Sequence, residues 1–252
     1  MTNTTAIVLA AGKGTRMKSD LPKVLFPVLG RPMIHWVLDA LEQAGIMQTI
    51  VVVGYRDDLV RESLADREGI EYALQTEQLG TGHAVQMCRP LLEASDDKSV
   101  LIVAGDSPLI QAPSVESVLA EFHHEKWDCL LGTLLKDNPF GLGRIVRDED
   151  GHFDRIVEEK DATEDIKKIQ EVNMSTYAFN KAYLLDALAN LKNNNAQSEY
   201  YLTDCPAYLK SQGKRVEAKA VLQECESLSI NTVDELAIVE AKMRELGYPC
   251  AS

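Results

Sequence analysis

No two of the five cysteines (Cys88, Cys129, Cys205, Cys225 and Cys250) form a CxxC pair, and their odd number leaves no complete disulfide framework. The chain therefore reads as one with reduced thiols and no zinc site. Positive charge is also scarce. With 26 Lys and Arg against 39 Asp and Glu, the formal net charge is −13. That balance argues against a general nucleic-acid or anionic-membrane binder, so any anionic ligand must be met by a local basic site. No apolar run approaches the ~18 residues of a membrane span. The amino-terminal MTNTT lacks the basic stretch and apolar core of an export signal, and the expected location is the cytoplasm. No internal repeat occurs; in particular there is no hexapeptide repeat, so no left-handed β-helix is expected. What remains is enough chain for a large α/β core: 252 residues, 45% hydrophobic and 26% charged.

The chain is organised around residues 6–23, AIVLAAGKGTRMKSDLPK. Ile7, Val8 and Leu9 form a short apolar run that suits a strand buried on both faces of a parallel sheet. Ala10 and Ala11 keep the backbone bare. Gly12 and Gly14 then let main-chain N–H groups approach a ligand, and Lys13, Arg16, Lys18 and Lys23 surround the same turn with cations. From Lys13 to Arg31 there are five basic residues and one acid, Asp20, in an otherwise acidic chain. The pattern is a phosphate-holding loop. Met17 excludes the dinucleotide fingerprint GxGxxG, and GxxxxGK is missing too, so the loop is of a third kind.

Apolar spacing predicts a helix from Pro32 to Gly45, a strand over Thr49–Val53, a helix over Asp57–Ala65 and a strand over Ile70–Leu74. This βαβαβ alternation predicts a doubly wound parallel sheet, whose ligands sit at the carboxyl ends of strands. Further elements follow: helix 81–92, strand 100–104, helix 115–125, strand 128–135, a hairpin across the turn at 148–151, strand 172–179, helix 182–191, helix 199–210, strand 216–222 and a closing helix 233–246. The hairpin reads as part of an inserted lobe. The expected division is a mainly nucleotide-binding part (1–135), a mainly sugar-binding part (136–230) and a carboxyl-terminal helix (231–252).

Asp106 leaves a buried strand between Gly105 and Pro108 and is a candidate Mg²⁺ ligand, since that ion takes a few protein oxygens plus phosphate oxygens; the alternative is a turn or cap aspartate. Asn231 follows the strand-like Leu228–Ile230 and offers either a neutral oxygen or a helix N-cap. Arg16 and Lys23 are candidate electrostatic catalysts of nucleotidyl transfer, where the task is to orient two anions and neutralise developing charge. The alternative for each is a solvated loop cation. Gln75, with Gly80 and Thr81, could read a pyrimidine edge by hydrogen bonds, or could form a polar loop capped by Thr81. His83 reads as structural.

LAAGKGTRM with LPK resembles the signature of the sugar-1-phosphate nucleotidylyltransferases. QTEQLGTGHA (75–84), AGDSPL (104–109), GLGRI (141–145), VEEKDAT (157–163), QEVN (170–173) and NNNAQSEYYLTD (193–204) narrow the resemblance to the N-acetylglucosamine-1-phosphate uridylyltransferases. It implies a Rossmann-like, mostly parallel sheet with an inserted β-rich sugar-binding lobe, and Mg²⁺-dependent transfer of uridylyl from UTP to N-acetylglucosamine 1-phosphate. By resemblance, Arg16 and Lys23 are catalytic, Leu9, Ala10, Ala11, Gly12, Gly14, Gln75, Gly80 and Thr81 bind nucleotide, and Asp106 and Asn231 bind metal. Gly143, Glu158, Asn173, Tyr201 and Thr203 bind the sugar; among neighbouring acids only the VEEKDA match prefers Glu158 to Glu159. No general base is needed, because a sugar phosphate is already ionised. The product would be a cell-wall precursor, the chain monomeric or weakly associated, and neither nucleic acid nor membrane a partner. Three departures bear on the sugar. Ala104 stands where the family usually has Tyr, Met174 and Ser175 where it has Thr-Gly, and Ser198 where it has Gly. The alternatives are a uridylyl- or thymidylyltransferase for another sugar 1-phosphate, and a non-catalytic UDP-sugar-binding module.

Overall fold

The β-branched and apolar runs lie where two-sided burial needs them, in one nine-stranded sheet. The computed structural model describes residues 4–17 and 19–250; Lys18 of the basic loop lies outside the described residues. The strands are β1 (Thr4–Leu9), β2 (Gln48–Val53), β3 (Ile70–Leu74), β4 (Ser99–Ala104), β5 (Cys129–Leu135), β6 (Arg144–Arg147), β7 (Phe153–Val157), β8 (Glu171–Asn180) and β9 (Val216–Ala220). Along the sheet the order is β9-β5-β8-β4-β1-β2-β3. The pairs β1–β2, β1–β4, β2–β3 and β5–β9 are parallel, while β8 runs antiparallel between β4 and β5.

Alternate residues of β1 face different cores. Ala6 and Val8 pack with Ile34, Val37 and Leu41 of α1 (Met33–Gln43) and with Val239 and Met243 of the closing helix (Val233–Glu245). Ile7 faces the other core, with Val85, Leu92, Leu184 and Leu209. The chain leaves β1 for β2 on one side and reaches β4 on the other, so Leu9 and Ala104 pair side by side at a topological switch point. Segments following those two residues are forced together at the carboxyl edge, where such sheets bind ligands.

The first βαβαβ expectation is met by β1, α1, β2, α2 (Asp57–Ser63) and β3. The expected helix 81–92 is instead two, α3 (Thr81–Gln86) and α4 (Arg89–Ala94). Pro90 explains the break, because its ring has no N–H and would clash with the carbonyl of Gln86 in a continuous helix. After α5 (Ala112–His124) and α6 (Lys181–Ala189), the expected helix 199–210 begins only at α7 (Asp204–Ser211). Residues 199–202 form an arm beside α3, with Tyr200 N donating to Leu79 O (2.8 Å) and Gly82 N to Tyr200 O (2.7 Å). Leu228–Ile230 is not a strand; a short 3₁₀ turn, Glu224–Ser227, precedes it, and α8 is the closing helix Val233–Glu245.

The hairpin β6–β7 is carried on β8, through Val172 opposite Arg144, so the β-rich lobe is continuous with the main sheet. A register shift between Asn173 and Thr176 bends β8 there. Among the described residues no helix is long and apolar enough to cross a membrane.

Candidate functional site

Backbone ladders hold the glycine loop at its base. Ala10 N donates to Val52 O (2.9 Å), and Ala11 O accepts from Tyr55 N (3.2 Å) and from Gln78 Nε2 (2.8 Å). Beyond that point the N–H groups of Gly12, Lys13 and Gly14 donate to no acceptor among the described residues, and they are available to an anion. Gly14 is required twice over. Its φ is +67°, and a Cβ there would stand 2.7 Å from Lys23 Cβ. The loop lines a cleft of about 520 Å³ together with Leu9, Ala10, Arg16, Lys23, Gln75, Gly80, Thr81 and Asp106. A separate recess of about 410 Å³, between Trp36, Gln111 and Tyr248, contains none of the candidate residues.

At the glycine-loop end four side chains from distant parts of the chain converge. Lys23 Nζ donates to Asn231 Oδ1 (2.7 Å) and to the carboxylate of Asp106. Arg16 Nη2 donates to the same Asn231 oxygen (2.7 Å). Gly105 N continues the β1–β4 ladder to Leu9 O (3.0 Å) and so fixes the strand end that carries Asp106. Asn231 is not the N-cap of α8. Thr232 takes that role, accepting from Glu235 N, while Asn231 N donates to Glu235 Oε2 (2.7 Å) and Asn231 Nδ2 to Ser229 Oγ (3.3 Å), which leaves Oδ1 facing the cleft. The carboxylate and the amide oxygen already share one cation, the Lys23 ammonium, and hard oxygen donors of this kind suit Mg²⁺ completed by phosphate oxygens. Among the described residues no group of three His, Cys, Asp or Glu could hold a metal ion, unlike a zinc centre.

The other end of the cleft corrects two expectations. Gln75 is only 4% exposed, and its Nε2 lies 3.1 Å from both Gly80 O and His83 Nδ1. Its two donor hydrogens are engaged by the protein, so towards a ligand it offers the acceptor Oε1 rather than a donor–acceptor pair. His83 is structural, as expected, because it orients Gln75. Thr81 does not cap α3; Gly80 is at the N-cap position, and Thr81 Oγ1 accepts from Leu202 N (3.1 Å). Gly80 has φ +110°, and a Cβ there would fall 2.6 Å from Tyr200 O, so its smallness serves the close approach of the arm 199–202. Gln78 and Glu199 also line the cleft and escaped the sequence reading, although both lie inside the motifs QTEQLG and EYYLTD.

Beyond the cleft the hairpin and β8 bring the sugar candidates together. Thr203 Oγ1 donates to Glu158 Oε1 (3.0 Å), Gly143 O accepts from Asn173 N (2.9 Å), and a Cβ on Gly143 would sit 3.5 Å from Glu158 Oε2. Asn173 Nδ2 donates to Tyr177 OH (2.7 Å), and Tyr201 OH accepts from Gln197 Nε2 (2.8 Å). Burial pushes the Glu158 carboxyl up from the ordinary glutamate range, against the lowering effect of the Thr203 hydrogen bond, and Asp161 and Asp204 add repulsion. Glu159 points away to Arg144 Nη2 (2.7 Å), a physical distinction that the acidic run itself hides. Ala104 and Ser175 line the cleft, and Ser175 sits at φ 52°, where β8 bends.

Residues 6–149 match the family of the MobA-like NTP transferase domain. The chain is 45% identical over 240 residues to "Bifunctional protein GlmU" of Exiguobacterium sp. (strain ATCC BAA-1283 / AT1b), covering 95% of this chain and 52% of that one. It is 48% identical over 244 residues to the protein of the same name from Heliobacterium modesticaldum (strain ATCC 51547 / Ice1), covering 96% and 52%. The chain thus spans about half the length of the curated relatives it matches. A solved UDP-glucose pyrophosphorylase complexed with UDP-glucose shares the fold, with a TM-score of 0.79 at 15% identity over 96% of this chain and 99% of that one.

Proposed function

This chain belongs to the MobA-like NTP transferase domain family, and from that premise we propose that it is a nucleotidyltransferase transferring a uridylyl group from UTP to N-acetylglucosamine 1-phosphate. One observation carries the reading: Arg16, Lys23, Asp106 and Asn231 converge at the mouth of a glycine loop with unpartnered N–H groups. A phosphate oxygen of the sugar phosphate attacks the α-phosphorus, the new O–P bond forms, the bond to the β-phosphate breaks, and pyrophosphate leaves. The sugar phosphate brings its own ionised oxygen, so no side chain need take a proton. Arg16 grips phosphate oxygens through its planar fork and Lys23 acts as a mobile point charge. A divalent metal ion, when held by Asp106 and Asn231, would supply charge neutralisation at the phosphates.

Gln75 Oε1, left with acceptor capacity only, suits the N3–H of uracil and disfavours cytosine, whose N3 carries no proton. Glu158 and Asn173 provide an acceptor and a polar amide for sugar hydroxyl and acyl groups. A second reading, another sugar 1-phosphate, is favoured by Ala104 and Ser175, which put short side chains on the cleft wall. The test is pyrophosphate release with Mg²⁺ and UTP, CTP or dTTP against glucose, glucosamine, N-acetylglucosamine and N-acetylgalactosamine 1-phosphates. Turnover with UTP and N-acetylglucosamine 1-phosphate, lost in Asp106→Ala, is expected. Preference for another sugar would keep the mechanism and change the substrate. Silence across the panel would favour a UDP-sugar-binding module.

A further inference from the structure

We propose that Lys23 is the resident cation of the Asp106–Asn231 pair and that a divalent metal ion takes its place, so that metal loading is what frees Lys23 to meet substrate phosphate. The inference rests on the metal role proposed for that pair. Lys23 Nζ contacts both candidate ligands, and its side chain is only 12% exposed. The Asn231 Oδ1 that receives it at 2.7 Å also receives Arg16. An amide oxygen engaged by two cations has no lone pair left for a third, and one carboxylate cannot neutralise a lysine, an arginine and a divalent ion at once. Entry of the metal ion therefore displaces one of the two, and the ammonium, which alone touches both candidate ligands, is the one it replaces.

Only the side chain needs to move. The Lys23 backbone sits in the 3₁₀ turn Lys23–Leu25, whose Val24 and Leu25 are buried, and Gly14 leaves room for its Cβ. The flexible four-carbon stem can swing the ammonium away from this anchor. Lys23 lines the same cleft as the glycine loop with its unpartnered N–H groups, so the released ammonium and an incoming phosphate meet in one place. Metal binding and phosphate binding would then assist each other, each favouring the arrangement the other needs.

Mn²⁺ binding to the ligand-free protein, followed by electron paramagnetic resonance at fixed pH, tests the exchange. A lysine parked in about nine molecules in ten weakens apparent metal affinity about tenfold. Lys23→Met should accordingly bind Mn²⁺ about tenfold more tightly than the parent, with the gain abolished by adding Asp106→Asn. Melting curves establish that each variant is folded, and Lys23→Gln provides a second neutral side chain should Lys23→Met not fold. In the unmodified sequence carrying ¹³Cε-lysine, Mg²⁺ should shift the Lys23 resonance, and Asp106→Asn should abolish that shift. Unchanged or weaker Mn²⁺ binding in the folded neutral variants, with an Asp106-dependent site still present, would overturn the exchange and leave the metal role standing. Absence of any Asp106-dependent Mn²⁺ site in parent and variants would overturn the metal role and the exchange with it.

Discussion

Ser175 and Ser198 occupy left-handed backbone angles, φ 52° and 56°, that a side chain with a Cβ resists. Both stand where the resembling family has glycine, so the departures noted in the sequence have a conformational cost as well as a chemical meaning. Ser198, outside the cleft, isolates the cost. Ser198→Gly should stabilise the fold by about 0.5–1 kcal/mol, the relief of left-handed strain less the added flexibility of the unfolded chain, as read by urea denaturation. Glu158 presents the opposite balance of stability and function. Its carboxyl is raised by burial, so the ionised form lowers stability at neutral pH and the deficit disappears as pH falls below the ordinary glutamate range. Glu158→Gln should therefore be more stable than the parent at pH 7 and equal to it near pH 4. It should also raise the KM for the sugar phosphate about 10–100-fold, the usual worth of a charged hydrogen bond. A variant of unchanged KM would remove Glu158 from the sugar site.

At the scale of elements, an ion-pair network ties the hairpin β6–β7 to β8 and β9. Arg147 of β6 donates to both carboxylate oxygens of Glu171 in β8 (2.7 Å each) and to Glu217 Oε1 in β9 (3.0 Å). Burial tends to raise the Glu217 carboxyl, but hydrogen bonds from the Ala218 N–H and from Arg147 outweigh it and hold the group below the ordinary range. Removing the guanidinium would leave two nearly buried carboxylates, 12% and 10% exposed, without the arginine that neutralises them. Arg147→Met should cost about 3 kcal/mol, and amide exchange should rise over β6 and β7 more than over β1. Uniform exchange across the sheet would show that the hairpin is held by other contacts. The broken helix at Pro90 and the arm 199–202 belong to this scale too. Proline chemistry made the first legible in retrospect, whereas the arm's pairing with Leu79 and Gly82 spans more than a hundred residues and left no local signal.

At the scale of the molecule, one histidine contributes to the response to acid. His35 of α1 lies with Nε2 3.0 Å from Ser63 Oγ of α2 and with Nδ1 accepting from Arg67 Nε. Burial, with Arg67 and Arg31 nearby, lowers its pKa from 6.5 to about 4 in spite of Asp39. A folded-state value below the unfolded one stabilises the protein above pH 6.5, and that stability is lost as pH falls from 6.5 towards 4. The ring is only partly buried, so after solvent screening the loss is on the order of 1 kcal/mol. His35→Gln should flatten this limb of the stability profile, measured by denaturant midpoints between pH 7 and 4. An unchanged slope would assign the acid response to other groups.

The sequence by itself determined the strands, the glycine loop and the residue types gathered around it, because apolar runs, glycine and clustered cations act within a few residues of themselves. Residues 6–23 and Gly105–Asp106 pointed to a phosphate-binding cleft from local pattern alone. Only the tertiary structure decided which of these meet. It set Leu9 beside Ala104 at the switch point, brought Asn231 to Lys23 across 208 positions, and spent both Gln75 donors inside the protein. It also turned Glu158 towards Thr203 and Glu159 towards Arg144 from one acidic run. Those outcomes depend on strand order and on which hydrogen-bond partners burial leaves available, quantities set by the whole packed chain and carried by no local stretch of it.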